Sequence, residues 1–298
     1  MKIITIGTHS GSFHADDVFA VAALTILYPT YEIVRSRDPE VWAQCDFLLD
    51  VGGYYDHEKR VYDHHFKDGP AYSDGLKMSS VGLIWKHYGN DICGGNCNVA
   101  DRVCNLLIRA LDANDNGVTL STPLKNVPDV REVSLAGTVA LMNPLDRTLA
   151  DAAFASEVVR ARDILRASIL NARHWLEAHS EVEASVQKAL RENKPYIEIS
   201  EGCPWSEHLF NCSNNKSILY TIYPHGEKWY VRTVPVEPGS FDNRKSLPQS
   251  WGGLRDDEFS AAAGIPDGVF CHHGCFICAA GSYNSAVQLA LSAFNSPE

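Results

Sequence analysis

The stretch YDHEKRVYDHHF (residues 55–66) follows closely on DFLLDVGG (46–53) and carries Asp56, His57, Asp63, His64 and His65. The run ahead of it is apolar, strand-like and closed by Asp50, Val51 and a glycine pair. Taken alone, YDHEKRVYDHHF reads as a polar hairpin in water. Taken with its neighbours, it reads as the end of a strand where imidazoles and carboxylates hold a metal ion. The rest of the chain has to choose.

Towards the N-terminus, KIITIG (2–7) is a β-branched run that gives way to the polar loop THSGSFHADD. From Asp17 to Tyr28 the chain is apolar on nearly every side and stops at Pro29, as a fully buried helix would. YEIVRS and DFLLDVGG are further strands, with RDPEVWAQC between them as a short helix. This alternation predicts an α/β fold with a parallel sheet flanked by helices. Ligands of such sheets gather at the carboxyl ends of the strands. His9 follows the first strand, Asp50 closes the third, and Asp63-His64-His65 follows KRVY, a short strand of its own. These groups are expected to face one crevice.

Beyond them, SSVGLIWKHYG (79–89) predicts a helix stopped by Gly89. Another opens at Asn98, with Val99, Val103, Leu106, Leu107 and Leu111 at helical spacing, and runs into DANDNG (112–117). Residues 150–194 contain neither Pro nor Gly and are helical in pattern throughout. One continuous helix would span about 65 Å, so two helices or a break are expected there. After Pro195 the texture turns aromatic and β-branched: YIEIS, SILYTIYP, KWYVRTVPV and GVFCHHGCFICAAG, then a closing helix in YNSAVQLALSAF. The expected organisation is a catalytic domain over 1–149, a helical connector over 150–194, and a smaller α+β substrate-binding domain over 195–298.

Composition narrows the function. The chain has 298 residues, 45% of them hydrophobic, enough for a sizeable core. Its 26 basic and 37 acidic residues leave a net charge of −11, which argues against a broad basic surface for duplex nucleic acid. A phosphate-bearing substrate stays compatible, because divalent cations reverse the local field. Nine scattered cysteines, with MKIITIGTH leading straight into a strand, point to a reducing intracellular compartment. The longest apolar run, VFAVAALTILY, falls short of the roughly 20 residues of a membrane span, so no membrane partner is expected.

The loop residues at the expected strand ends are His9, His14, Asp16, Asp17, Asp50, Asp63, His64, His65, Asp112 and Asp115. Imidazole and carboxylate without thiolate suit Mn²⁺, Zn²⁺ or Fe²⁺. Asp50 is placed to bridge two ions, with His9 and His14 on one side and Asp16, His64 and an Asp near 112–115 on the other. Two ions roughly 3.5–4 Å apart activate a water and clamp both oxygens of an in-line phosphoryl displacement. Simpler readings stand beside these: Asp16 as a helix cap, Asp50-Val-Gly-Gly and Asp115-Asn-Gly as turns. Arg37, Lys77 and Arg255 are phosphate partners or solvated cations. Trp205 and Trp251 are base-stacking platforms or packing. Cys271-x₃-Cys275-x₂-Cys278 has the spacing of an iron–sulfur motif, but lies too near the C-terminus for the barrel that normally follows, and reads as core.

The triplet Asp63-His64-His65, the opening GTHSGSFHADD and DVGG resemble motifs of the DHH phosphoesterase superfamily. More closely, the chain resembles the melanocyte-proliferating-gene family of DHH-like proteins. That likeness includes RSRDP, DVGGYYDHEKRVYDHH, KMSSVGLIW, LDANDNG, EGCPWSEHLF, GSFDNRKSLPQSWGGLRDDE and GIPDGVF, in order over nearly the whole chain. It implies a DHH-type catalytic sheet and a Mn²⁺-dependent phosphoesterase, with Mg²⁺ or another divalent ion as substitute. By the resemblance, His9, His14 and Asp50 hold one ion, Asp16, Asp50 and His64 the other, and His65 faces the phosphate. Either Asp112 or Asp115 can be aligned with the superfamily's fourth acidic motif, and the choice between them stays open. The catalytic group is then Asp50, Asp63, His64 and His65, with His65, Arg37, Lys77 and Arg255 on the substrate.

The activity that the resemblance implies is 3′–5′ exonuclease action, expected here on short or single-stranded RNA. The alternatives are a nucleotide phosphatase or pyrophosphatase of the same fold, and a non-catalytic metal- and RNA-binding protein. A homodimer is admitted, and the expected location is the cytoplasm or, for a eukaryotic chain, by the resemblance, the nucleus and mitochondrion. Two departures bear on substrate: HADD has a His where the superfamily motif has an Asp, and CFICAAGS replaces a Gly-Gly-His-like loop.

Overall fold

The computed structural model describes residues 3–122, 126, 130 and 132–297, and the chain divides into two compact units, Met1–Arg173 and His174–Glu298. In the first, β1 (Ile4–Thr8) leads through the loop 9–14 into α1 (Ala15–Leu27), then β2 (Tyr31–Arg35), α2 (Pro39–Trp42), β3 (Phe47–Leu49), β4 (Tyr55–Asp56) and β5 (Val61–Tyr62). The sheet order is β2-β1-β3-β5-β4, parallel except for β4 against β5. Successive strands therefore lie on opposite sides of β1. The carboxyl ends of β1 and β3 form the reversal point at which open α/β sheets bind ligands.

α1 is buried on every side from Ala15 to Thr25, which accounts for its nearly uniform apolar composition. It packs on α3 (Ser80–Ile92), with α5 (Arg109–Asp115) and α6 (Leu135–Leu141) also against it. Gly89 does not end α3, as the sequence suggested. A Cβ there would come 2.9 Å from the Trp85 ring nitrogen, so the glycine makes room for that indole, and the helix stops only before Gly94-Gly95.

The next helix also differs from its predicted spacing. α4 (Cys97–Val103) passes through a single π turn at Cys104–Ile108 into α5. The inward positions step from Val103 to Ile108, and Leu106, expected inside, is 64% exposed.

α7 (Ala150–Arg191) is one helix of 42 residues, where two helices or a break were expected. Its apolar stripe never lapses: Phe154, Val158, Ala161, Leu165, Ile169 and Ala172 are buried in the first unit, and Ala178, Val182, Val186 and Ala189 in the second. With a core to enter at every turn, the sequence has no reason to interrupt the helix. Among the described residues, no helix is long and apolar enough to cross a membrane.

The second unit holds β6 (Tyr196–Glu198), α8 (Trp205–Asn211), β7 (Tyr220–His225), β8 (Lys228–Thr233), α9 (Asp256–Ala263), β9 (Gly268–Cys271), β10 (Ile277–Ala280) and α10 (Tyr283–Asn295). Its sheet runs β6-β7-β8-β10-β9, with β6 parallel to β7 and every other pair antiparallel. Trp251, Cys271, Cys275 and Cys278 belong to one of its cores, and Trp205 to the other. The two tryptophans are therefore packing residues here, not stacking platforms, and burial pushes the Cys271 thiol up to about 12.

Candidate metal centre

β1, β3 and β5 deliver His9, Asp50 and Asp63-His64-His65 to one place, as parallel neighbours must when each residue directly follows its strand. His9 Nε2 lies 3.3 Å from Asp50 Oδ2 and 3.1 Å from Asp17 Oδ2. His64 Nε2 lies 3.2 Å from Asp50 Oδ1, 3.0 Å from Asp115 Oδ2 and 3.9 Å from Asp16 Oδ2. Asp50 is thus shared among three imidazoles, His9 at Oδ2 and both His64 and His65 (Nδ1, 3.4 Å) at Oδ1. Its backbone is left-handed (φ 57°), a conformation Asp tolerates better than most residues, and Gly52 and Gly53 follow it at positive φ. Ser80, at the start of α3, donates to Asp50 Oδ1 (3.3 Å) and to the Tyr62 carbonyl (2.9 Å), tying the aspartate to β5.

Asp16 and Asp17 divide the work that the sequence left ambiguous. Asp17 Oδ1 accepts from the His14 backbone N–H (2.9 Å) and from Val18 N–H (2.8 Å), so the helix-capping carboxylate is Asp17. Asp16 is 1% exposed, and neither of its oxygens has a hydrogen-bond partner among the described residues. Burial, then the charges of Asp50, Asp115 and Asp17, push the Asp16 carboxyl well above its ordinary range.

The two candidates at the end of α5 also separate. Asp112 Oδ1 accepts from Ser79 N–H (2.9 Å), Ser79 Oγ (2.7 Å) and Gly82 N–H (3.1 Å), and Oδ2 from Tyr72 OH (2.7 Å). All its contacts are thus committed to Tyr72 and the first turn of α3, whereas Asp115, one turn later, reaches His64.

Asp63 is a holder. It accepts from Gly53 N–H, from His65 N–H (3.0 Å) and from His65 Nδ1 (2.8 Å), which leaves Nε2 as the His65 nitrogen available to a substrate. The His65 side chain is 62% exposed and Asp63 is buried.

Three groups of ligand atoms lie within 4.8 Å of one another: His9, His14 and Asp50; Asp50, His64 and His65; and His14, Asp16 and Asp115. The donor set fits a hard or borderline divalent cation. The electrostatics fit as well. Burial alone would pull the rings down, yet the surrounding carboxylates push both His9 and His64 up to about 10. Asp50, raised by burial, is brought below the ordinary carboxylate range by His64 and His9. Protons thus occupy positions that a cation would take, and among the described residues neither Asp16 oxygen has a hydrogen-bond donor, its one ion-pair contact being His64 at 3.9 Å.

The cluster opens on a cavity of about 660 Å³ lined among others by Ser10, Gly11, Ser12, Arg37 and Arg147. Arg37 donates from Nε to the Ser10 carbonyl (3.2 Å). Of the other expected phosphate partners, Lys77 is exposed, bonds the Lys67 carbonyl and does not line this cavity. Arg255 belongs to the second unit, where it lies over the Phe270 ring and precedes α9. Sequence reasoning missed Ser80, the capping role of Asp17, and Arg147; for the first two, a serine at the start of a helix and an acidic residue three after His14 were visible signals.

Comparison with known proteins places the chain. It is 34% identical to a MYG1 protein of Saccharomyces cerevisiae, over 96% of this chain and 94% of the relative. It is 33% identical to the human MYG1 exonuclease, over 91% and 81%. Among solved structures, RecJ of Thermus thermophilus in complex with Mn²⁺ aligns over 99% of this chain and 52% of that one, with 15% identity and a TM-score of 0.28. A family model described as "Uncharacterised protein family (UPF0160)", MYG1_exonuc, matches residues 5–294, and the chain belongs to that family.

Proposed function

We propose that this chain is a metal-dependent phosphodiester hydrolase, a 3′–5′ exonuclease on short or single-stranded RNA that works with two Mn²⁺ ions and accepts Mg²⁺ in their place. The observation that carries the reading is Asp16, a fully buried carboxylate without a donor, set among imidazoles and carboxylates at the reversal point of a parallel sheet. The exonuclease name of the human relative supports the same class of chemistry.

His9, His14 and Asp50 would hold one ion, and Asp50, His64, Asp16 and Asp115 the other. When bound, the ions supply Lewis acidity towards phosphoryl oxygens and lower the pKa of water. The remaining work falls to the chain. Asp50 keeps the His9 and His64 imidazoles oriented, and Ser80 keeps Asp50 in place. Asp63 fixes the His65 ring so that its Nε2 can hydrogen-bond a phosphoryl oxygen as charge develops there. Arg37 supplies a cation at the cavity wall.

The test is a metal-stripped preparation given a 5′-labelled RNA oligomer with Mn²⁺ or Mg²⁺, beside Asp50→Asn. A ladder of shortened products from the wild type, at least roughly 100-fold slower in the variant, is expected. Phosphate release from nucleotides with no shortened oligomer would move the reading to a small-molecule phosphatase. Bound RNA with no turnover at any ion concentration would remove catalysis altogether.

A further inference from the structure

We infer that Arg147, with Arg37 and the Ser10–Ser12 loop, forms a second anion subsite in the cavity, one that takes the phosphate flanking the scissile one. The inference rests on the hydrolase reading above and names its substrate class: a chain carrying at least two successive phosphates.

Arg147 lines the cavity, yet no hydrogen bond, ion pair or ring contact engages its side chain among the described residues. Arg147 is exposed, so its whole fork is open at the cavity wall to an incoming anion, which a guanidinium can grip with two parallel hydrogen bonds. Arg37 spends only Nε, on the Ser10 carbonyl, and keeps the rest of its fork open. Ser10 and Ser12 add hydroxyls on the same wall. Gly11, at φ +95°, leaves the wall without a side chain there, and a Cβ built on it would lie 3.9 Å from Arg147 Nη1.

The placement is built in. Asn143 grips the Phe13 backbone in both directions, accepting from its N–H (2.8 Å) and donating to its carbonyl (2.9 Å). Asp146 then caps the short turn Arg147–Leu149 by accepting from Thr148 N–H (2.9 Å). From the other side, buried Arg35 holds the Gly11 carbonyl (2.7 Å) and Asp151 (2.8 Å). The turn bearing Arg147 is therefore tied to the same loop that bears His9 and His14. At about 660 Å³, the cavity is in the range that encloses a nucleotide-sized ligand, more than a lone phosphate needs.

The experiment compares a 5′-phosphorylated dinucleotide, pNpN, with its unphosphorylated counterpart, NpN, on the wild type, Arg147→Ala and Arg147→Lys. Hydrolysis is measured with Mn²⁺, and binding of the labelled dinucleotides to metal-free protein is followed by fluorescence anisotropy. Arg147→Ala is expected to raise KM for pNpN roughly 10- to 100-fold with kcat nearly unchanged, to weaken pNpN binding in parallel, and to leave NpN as it was. Arg147→Lys recovers part of the loss, since it restores the charge without the fork. Equal losses on both dinucleotides, or none on either while the wild type cleaves them, overturn the subsite and leave the hydrolase reading standing. Binding that depends on Arg147 for pNpN alone, without any cleavage, keeps the subsite and removes the hydrolase. A wild type that neither cleaves nor binds either dinucleotide removes both.

Discussion

In the first unit, side chains able to hold a metal stand in loops at the carboxyl ends of β1, β3 and β5; in the second, Cys271 and Cys278 face each other across β9 and β10, with Cys275 in the turn between them. Both clusters have ligand-like spacing in the sequence. They differ in what the fold does with their lone pairs. At the first sheet, carboxylates and imidazoles are crowded until Asp16 has no donor and two rings hold protons far above their usual range. At the second, the sulfurs lie among Phe259, Leu289 and Ala290, and burial raises the Cys278 thiol well above its ordinary value. A thiol kept neutral in a packed core is filler; a carboxylate left there without a hydrogen-bond donor is an unmet demand for positive charge. Among the described residues, every ligand group of ion-holding geometry lies in the first unit.

The largest effect that would sharpen this contrast comes from Asp16→Asn. Replacing a buried carboxyl whose charged form is opposed by burial and by its acidic neighbours should stabilise the metal-free protein by about 1–3 kcal/mol, although the residue lies in the interior. The same change should weaken ion binding and slow hydrolysis, roughly 10- to 100-fold or more. Chemical denaturation without metal and calorimetric titration with Mn²⁺ give the two signs. A metal-free variant less stable than wild type would mean that Asp16 is structurally satisfied, and the site would lose its clearest signature.

How much of this was legible beforehand follows from how local each feature is. The strand ends were, because an apolar run followed at once by His9, Asp50 or Asp63 needs no tertiary information. Which of Asp16 and Asp17 caps α1 was not, since it turns on a single residue of helix phase. Choosing between Asp112 and Asp115 required the π turn at Cys104–Ile108, whose trace in sequence is a five-residue step between buried positions. The unbroken course of α7 depended on both units offering a core to one stripe. Arg147 had no local signal at all: its place comes from the Asn143–Phe13 bonds, which span 130 residues.

A smaller effect, in pH, tests whether protons stand where ions would. In the unfolded chain His9 and His64 titrate near 6.5, and in the metal-free fold both are pushed up to about 10 by the carboxylates around them, against the opposing pull of burial. A raised histidine contributes stability that is fully present below about pH 6.5 and is lost as pH rises through about 10. The metal-free protein should therefore show a denaturation midpoint that falls between pH 7 and 10. Ion binding runs the other way, because the rings must shed their protons: it should strengthen over the same window, with about two protons released at pH 7.5. Titration calorimetry in buffers of different ionisation enthalpy counts those protons. A flat midpoint with no proton release would show that the rings do not share the cluster.

The smallest expected effect is at the thiols, and it could undo the contrast from the other side. Cys278 is fully buried on β10 opposite Cys271, so Cys278→Ala removes one packed sulfur and leaves a small void. That should cost about 1 kcal/mol in urea denaturation. Cys278→Ser should cost more, because its hydroxyl replaces a sulfur within the apolar core. Neither change should alter the amount of Zn²⁺ or Mn²⁺ that the protein retains. The decisive background is Asp50→Asn, in which the first cluster is disabled. If that variant still binds Zn²⁺ and loses it on Cys278→Ala, the second cluster holds metal after all, and burial alone would no longer separate a core from a site.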